Sequence, residues 1–277
     1  MKTSRLFSQF STLLSVLLFS ACCTTNVAPP GRAFQTWYGR VNNWTDVTVT
    51  QKDLPACHKY GVDGYMIEMA GWKHNPDEQW TQPWINETAQ SYKRLVKACR
   101  KNGLWLFVSI VNDNMGLHKD GDKQPHLEKV IPQAQQLAQI VKKFGPRNVI
   151  VQPVAETQTP AGEDFQRYCI NYLKGFTLVY NGQVGFPSDT IAGMPFMAVH
   201  PAFMDTPIPQ GALAISDNGS IIKQLAINHS GDGKGNPALL VQWATHVKAC
   251  RALVAGYYAY RCHDFDEEAI KALGSVK

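Results

Sequence analysis

The chain has 277 residues, 44% of them hydrophobic and 18% charged, the composition of an ordinary globular protein. Its formal charge of +5 includes Lys2 and Arg5, and no dense Lys/Arg block follows, so nucleic acid is not an expected partner. After residue 22 no stretch is long and apolar enough to cross a bilayer as a helix.

The chain opens with Lys2 and Arg5, then runs apolar over residues 13–19 apart from Ser15, then gives Ser20 and Ala21 before Cys22. A positive start, a short apolar run and small residues at its end are the parts of an export signal. Leu18, Phe19, Ser20, Ala21 and Cys22 resemble the lipobox of bacterial lipoproteins. That resemblance implies lipidation of Cys22 and a lipid anchor in a membrane. An ordinary secretory signal cleaved nearby is the alternative. Residues 1–22 are thus read as a signal peptide and 23–31, with Pro29 and Pro30, as a tether. About 245 residues remain from Arg32 to Lys277, close to the usual size of an α/β barrel.

Strand-like runs follow at 34–41, 64–69, 104–111, 148–154, 176–180, 196–200, 212–216 and 256–260. The third and fourth are almost continuously apolar, as strands buried on both faces should be. Helical spacing lies between most of them, at 54–60, 88–101, 127–144, 164–174 and 237–254, and Gly103, Gly145 and Gly175 stop three of these. Eight strands alternating with helices predict a closed (β/α)8 barrel over residues 32–277. Residues 181–195 and 201–211 are rich in Pro and Gly, so the helices after strands five and six are expected to be short or missing. An open doubly wound sheet is less well matched, because no Gly-rich phosphate loop follows the first strand.

Cys57, Cys99, Cys169, Cys250 and Cys262 lie beyond the lipobox. An odd number leaves at least one unpaired, and their spacing fits no zinc site. Val-Lys-Ala-Cys-Arg occurs at 96–100 and again at 247–251, and Ala-Cys-x-Lys-x-Gly at 56–61 and 98–103. Each closes a helical run ahead of a strand. The Ala-Cys pairs are therefore read as small residues that let helices lie close to a sheet.

In a barrel of this kind, chemistry sits at the carboxyl ends of the strands. Those positions here hold Asn42, Asn43 and Trp44 after strand one, Glu68 and Trp72 at strand two, and Asn112, Asp113 and Asn114 at strand three. They continue with Gln152 and Glu156 at strand four, His200 at strand six, Asp217 and Asn218 at strand seven, and Arg261, His263 and Asp264 at strand eight. Trp72, Trp80 and Trp84 fall in one polar loop, where indoles would suit the apolar face of a sugar ring or would pack the loop onto the barrel. Glu156 follows a buried strand, where a carboxyl can serve as general acid. Glycoside hydrolysis needs a second carboxylate, for which Asp217 leads and Glu68 and Asp113 are rivals. Asp217-Asn218-Gly219 also reads as a turn.

With these residues the chain resembles the (β/α)8 glycoside hydrolases of the retaining clan that includes cellulases and mannanases. The resemblance implies an acid/base at Glu156, a His near the strand-six end at His200, and an aromatic at Tyr258 or Tyr260. The sequence departs from the clan in two places. Ala155 stands where Asn usually precedes the acid/base, and Asp217 stands where the nucleophile is Glu.

The leading expectation is an exported, cofactor-free glycoside hydrolase, acting as a monomer on a polysaccharide or oligosaccharide. Glu156 and Asp217 would be catalytic. Trp44, Glu68, Trp72, Trp80, Trp84, Asn112, Asp113, Gln152, His200, Tyr258 and His263 would bind substrate. A non-catalytic sugar-binding barrel is the alternative. A metal-dependent hydrolase using Glu156, His200, Asp217 and His263 comes third, because the first strand lacks a His-x-His pair.

Overall fold

The computed structural model describes residues 34–38, 47–70, 80–113, 126–155, 157, 159–181, 196–199, 213–215, 237–250, 254–257 and 267–276. The strands are β1 (Phe34–Tyr38), β2 (Gly64–Ala70), β3 (Trp105–Asn112), β4 (Val149–Ala155), β5 (Thr177–Asn181), β6 (Phe196–Val199), β7 (Leu213–Ile215) and β8 (Val254–Tyr257). They close into one barrel in sequence order. Every neighbouring pair is parallel, including β8 against β1 from Phe34↔Val254 to Trp37↔Tyr257. This is the (β/α)8 architecture that the alternation of runs predicts.

The helices are α1 (Val47–Tyr60), α2 (Gln82–Lys101), α3 (Ile131–Lys143), α4 (Pro160–Tyr172), α5 (Pro237–Ala249) and α6 (Glu267–Ser275). Three of them start earlier than their apolar spacing suggests. The reason at α2 and α4 is the same: Thr81 and Thr159 are N-caps whose side chains accept from Trp84 N and Gly162 N, and a Pro follows in the first turn. The first turns carry no apolar periodicity, so periodicity alone misses them. The expected helix 127–144 resolves into a 3₁₀ turn, Leu127–Lys129, followed by α3. At the other end of α2 and α3, Gly103 (φ 68°) and Gly145 (φ 77°) take the left-handed conformation that ends a helix. The segments after β5 and β6, where helices were expected to be short or missing, lie outside the described residues.

Strand alternation divides the core into two shells. Tyr65, Ile67 and Met69 of β2 and Leu106, Val108 and Ile110 of β3 pack with Leu95, Cys99 and other helix residues. Met66, Phe107 and Ile150 are also buried but belong to the opposite parity, which faces the barrel interior. The described cysteines fall in the outer shell, as the repeated Ala-Cys phrase implies, and Cys262 lies outside the described residues. Cys57, Cys99 and Cys169 are free and buried, and Cys250 is half-buried. Burial pushes all three buried thiols up, Cys99 to about 12, and the nearby Asp53 charge adds to the effect at Cys57. Tyr65 donates to Asp53 Oδ2 at 3.3 Å in the same shell.

The last helix, α6, was not expected. It packs against α1 and α5 and so joins the first and last helices of the ring. Ala269, Ile270 and Leu273 are its buried residues, and Glu267 accepts from Tyr60 at 2.5 Å and from Lys59 at 3.0 Å.

Candidate active site

The carboxyl ends of β2, β3 and β4 are the best described part of the expected site. Glu68, Ser109 and Gln152 are in register across these three strands. They share the parity of Met66, Phe107 and Ile150, one layer nearer the carboxyl ends. All three are buried, at 3%, 0% and 0% exposure, so the barrel carries a polar layer above an apolar one. Ser109 Oγ donates to Gln152 Oε1 at 2.5 Å. Gln152 Nε2 is buried and makes no hydrogen bond. A buried amide left unpaired costs about 1–3 kcal/mol, and such a donor facing a barrel interior suits a polar ligand or an ordered water. Ser109 was not singled out from the sequence, since a lone Ser inside an apolar strand gives no signal until its register with Gln152 is known.

The β3–β4 rim is tied together by Asp113, which directly follows β3. Its backbone N–H donates to Ala155 O at 3.0 Å, the last bond of the β3–β4 ladder. Its carboxylate accepts from Thr159 N at 2.6 Å and from Thr159 Oγ1 at 2.8 Å. Two residues before Thr159, the Thr157 hydroxyl accepts from Gln166 Nε2 at 2.9 Å, within buried surroundings. Gly162 is required here, because a Cβ on it would overlap the Asp113 carboxylate.

Asp113, read from the sequence as a substrate contact and a rival second carboxylate, is 1% exposed, and Thr159 donates to both its oxygens. Trp80 and Trp84 also fall among the described residues. Trp80 is 7% exposed, in the left-handed region at φ 73°, and its ring lies 5.7 Å from that of Trp84. Bulky residues rarely adopt that backbone conformation, which costs about 1–2 kcal/mol and is held here by packing. Trp84 is in the first turn of α2, partly buried against the helix-facing core. Trp80 thus belongs to the buried core, and Trp84 is partly buried beside it. Asn112 closes β3 at 7% exposure, with the parity of Leu106, Val108 and Ile110.

No known family profile and no curated protein sequence matches the chain. Solved structures do. The chain is similar to a trimodular family 5 (subfamily 4) endoglucanase with a TM-score of 0.55 and 9% identity, over 89% of this chain and 60% of that one. It is similar to a family 113 β-1,4-mannanase with a TM-score of 0.51 and 13% identity, over 88% of this chain and 98% of the other. A family 5 lichenase from Caldicellulosiruptor sp. F32 gives a TM-score of 0.50 and 12% identity, over 87% and 92%. The likeness is to the fold of (β/α)8 glycoside hydrolases.

Glu156, Asp217, Trp44, Trp72, His200, Tyr258, His263 and Cys22 lie outside the described residues, as do the four residues of the metal-site reading. Glu156 is nevertheless the residue after Ala155, the end of β4, and Asp217 is two residues beyond Ile215, the end of β7. A groove of about 320 Å³ opens between α2 and α3, floored by Ile85, Ala89, Ile140 and Phe144. It lies on the outer wall and holds none of the expected site residues. Thr157, Thr159 and Gln166, like Ser109, were not singled out from the sequence. Thr159-Pro160 carried a recognisable helix-start signal. The partnership of Thr159 with a strand residue 46 positions away carried none.

Proposed function

We propose that the protein is an exported glycoside hydrolase, with Glu156 as general acid/base and Asp217 as the second carboxylate. The observation that carries this reading is the closed parallel barrel, in which β4 and β7 end one and two residues before those carboxylates. Strand ends of one polarity form one rim, where the loops of such barrels assemble active sites. The likeness in fold to an endoglucanase, a β-1,4-mannanase and a lichenase supports a polysaccharide substrate.

In this mechanism Glu156 protonates the departing glycosidic oxygen, and Asp217 attacks the anomeric carbon or activates water against it. Glu68 and Gln152 belong to the polar layer beneath, where Gln152 Nε2 is free to donate to substrate or to an ordered water. Trp44, Trp72, His200, Tyr258 and His263 are the remaining candidates for sugar contacts. Residues 1–22 direct export and Cys22 carries the lipid, so the barrel works outside the cytoplasm at a membrane surface.

The test is release of reducing ends from β-1,4-mannan and mixed-linkage β-glucan by wild type and Glu156→Gln. Wild type is expected to cleave at least one, and the variant to lose about 10²–10⁴-fold in rate. Equal rates, or an inert wild type across the panel, would overturn the reading and leave a sugar-binding barrel. Radiolabelled palmitate in a bacterial host should enter wild type and not Cys22→Ala; label in both, or in neither, rejects the lipid anchor.

A further inference from the structure

We infer that Asp113 is the positioning residue of the segment that carries the acid/base, a staple that grips this segment at both ends. The inference rests on the proposed role of Glu156. Asp113 spans the segment from one side with its backbone and from the other with its side chain. Its N–H holds Ala155 O, and its carboxylate holds the N–H and hydroxyl of Thr159. Between those two anchors, Thr157 is held by Gln166. Glu156 thus sits between Ala155 and Thr157, two residues whose own groups are fixed by buried hydrogen bonds.

The chemistry explains why a carboxylate is used. Thr159 presents two donors, its amide and its hydroxyl, on neighbouring atoms. A carboxylate has two acceptor oxygens at matching separation and satisfies both at once. The Thr159 oxygen in turn accepts from Gly162 N at 3.2 Å, so the same grip starts α4. The staple therefore ties the ends of β3 and β4 to the start of α4. Gly162 keeps the space in which the carboxylate lies. A general acid has to be held to a fraction of an ångström, and a misplacement of about 1 Å can cost about 10²-fold in rate. Asp113 acts through this placement and touches no reacting atom.

The experiment compares wild type, Asp113→Ala, Asp113→Asn and Gly162→Ala on two substrates. One is the polysaccharide that wild type cleaves. The other is the 2,4-dinitrophenyl glycoside of the same sugar, whose leaving group departs without protonation. Asp113→Ala should lose about 100-fold in kcat on the polysaccharide, with KM nearly unchanged and only a few-fold loss on the activated glycoside. Asparagine can accept from Thr159 N and donate to Thr159 Oγ1, so Asp113→Asn should recover most of the rate. Gly162→Ala, which displaces the carboxylate without removing it, should reproduce the leaving-group dependence even if Asp113→Ala does not fold. Hydrogen exchange supplies a reading independent of activity. Amides of residues 155–159 should exchange at least about tenfold faster in Asp113→Ala, with β3 unchanged. Equal losses on both substrates, no recovery in Asp113→Asn, or unchanged exchange at 155–159 would each overturn the inference. A wild type that cleaves neither substrate would instead overturn the role of Glu156, and the exchange data alone would then judge the staple.

Discussion

Gly274→Ala separates two effects of opposite sign. In a helix interior Ala is favoured over Gly by about 0.8–1 kcal/mol, an upper bound at Gly274, the second-last residue of α6, so the helix considered alone would gain at most that much. The packing opposes this. A Cβ at position 274 would overlap the carbonyl oxygen of Tyr60 at the end of α1, and a backbone atom cannot rotate away as a side-chain tip can. The helix has to lift. Ile270 and Leu273 are both fully buried beneath it, and burying each is worth about 1.5–3 kcal/mol. Overpacking of this kind costs about 1–3 kcal/mol, and partial re-exposure of two such residues adds to it. The sum exceeds the propensity gain, for a net loss of about 2 kcal/mol. In a chain of this size that lowers Tm by about 4–8 °C. Differential scanning calorimetry and urea denaturation would measure it, with Lys271→Ala on the exposed face as control. A variant as stable as wild type, or more stable, would show that α6 moves freely on α1 and that the close approach is not a constraint.

Two further expectations follow from the outer shell. Iodoacetamide at pH 8 should spare Cys57, Cys99 and Cys169 in the native protein and label all three after unfolding, because burial blocks access and holds the thiols protonated. Rapid native labelling of any of the three, read by peptide mapping, would refute their role as packing residues. Glu267 is held below the usual carboxylate range by its hydrogen bonds from Tyr60 and Lys59. Its folded-state pKa is depressed, so its stabilisation is complete above the unfolded value and disappears as pH falls through the folded one. The advantage of wild type over Glu267→Gln in urea midpoint should therefore be present at neutral pH and shrink in acid. A difference independent of pH between neutrality and pH 3 would assign the effect to packing instead.

The barrel is legible in the sequence because its strands are buried on both sides. Residues 104–111 and 148–154 read as almost continuous apolar runs, and each is a strand within one residue of its expected ends. The helix starts are less legible, since Thr81 and Thr159 act by capping and the turns that follow carry no apolar stripe. In α6 the apolar residues Ala269, Ile270 and Leu273 cover little more than one turn, too little for periodicity to register. Site residues divide the same way. Gln152, Glu68 and Asp113 were found from their places at or near the carboxyl ends of strands. The position of Asp113 at a strand end is a local fact, whereas its task depends on Thr159, far away in the chain.

The place of Asp113 bears on the choice of a second carboxylate. Three residues compete to face Glu156, and position at a strand end does not separate them. Acceptor capacity and reach do. A nucleophile needs an oxygen open to the anomeric carbon, whereas Asp113 is 1% exposed and its carboxylate is held by Thr159. Glu68 lies two residues short of the end of β2, at 3% exposure, in register with Ser109 beneath the rim. Attack from there would require the sugar to descend into the barrel below the ends of β2 and β3. Asp217 follows β7 as Glu156 follows β4, so the proposed mechanism takes it as the partner despite its shorter side chain. One methylene less has to be made up by backbone placement. Under this reading the Glu156–Asp217 carboxyl separation in a crystal structure should fall near 5–5.5 Å for retention, or 6.5–9.5 Å for inversion. A separation well beyond that range, with Glu68 inside it, would transfer the second role to Glu68.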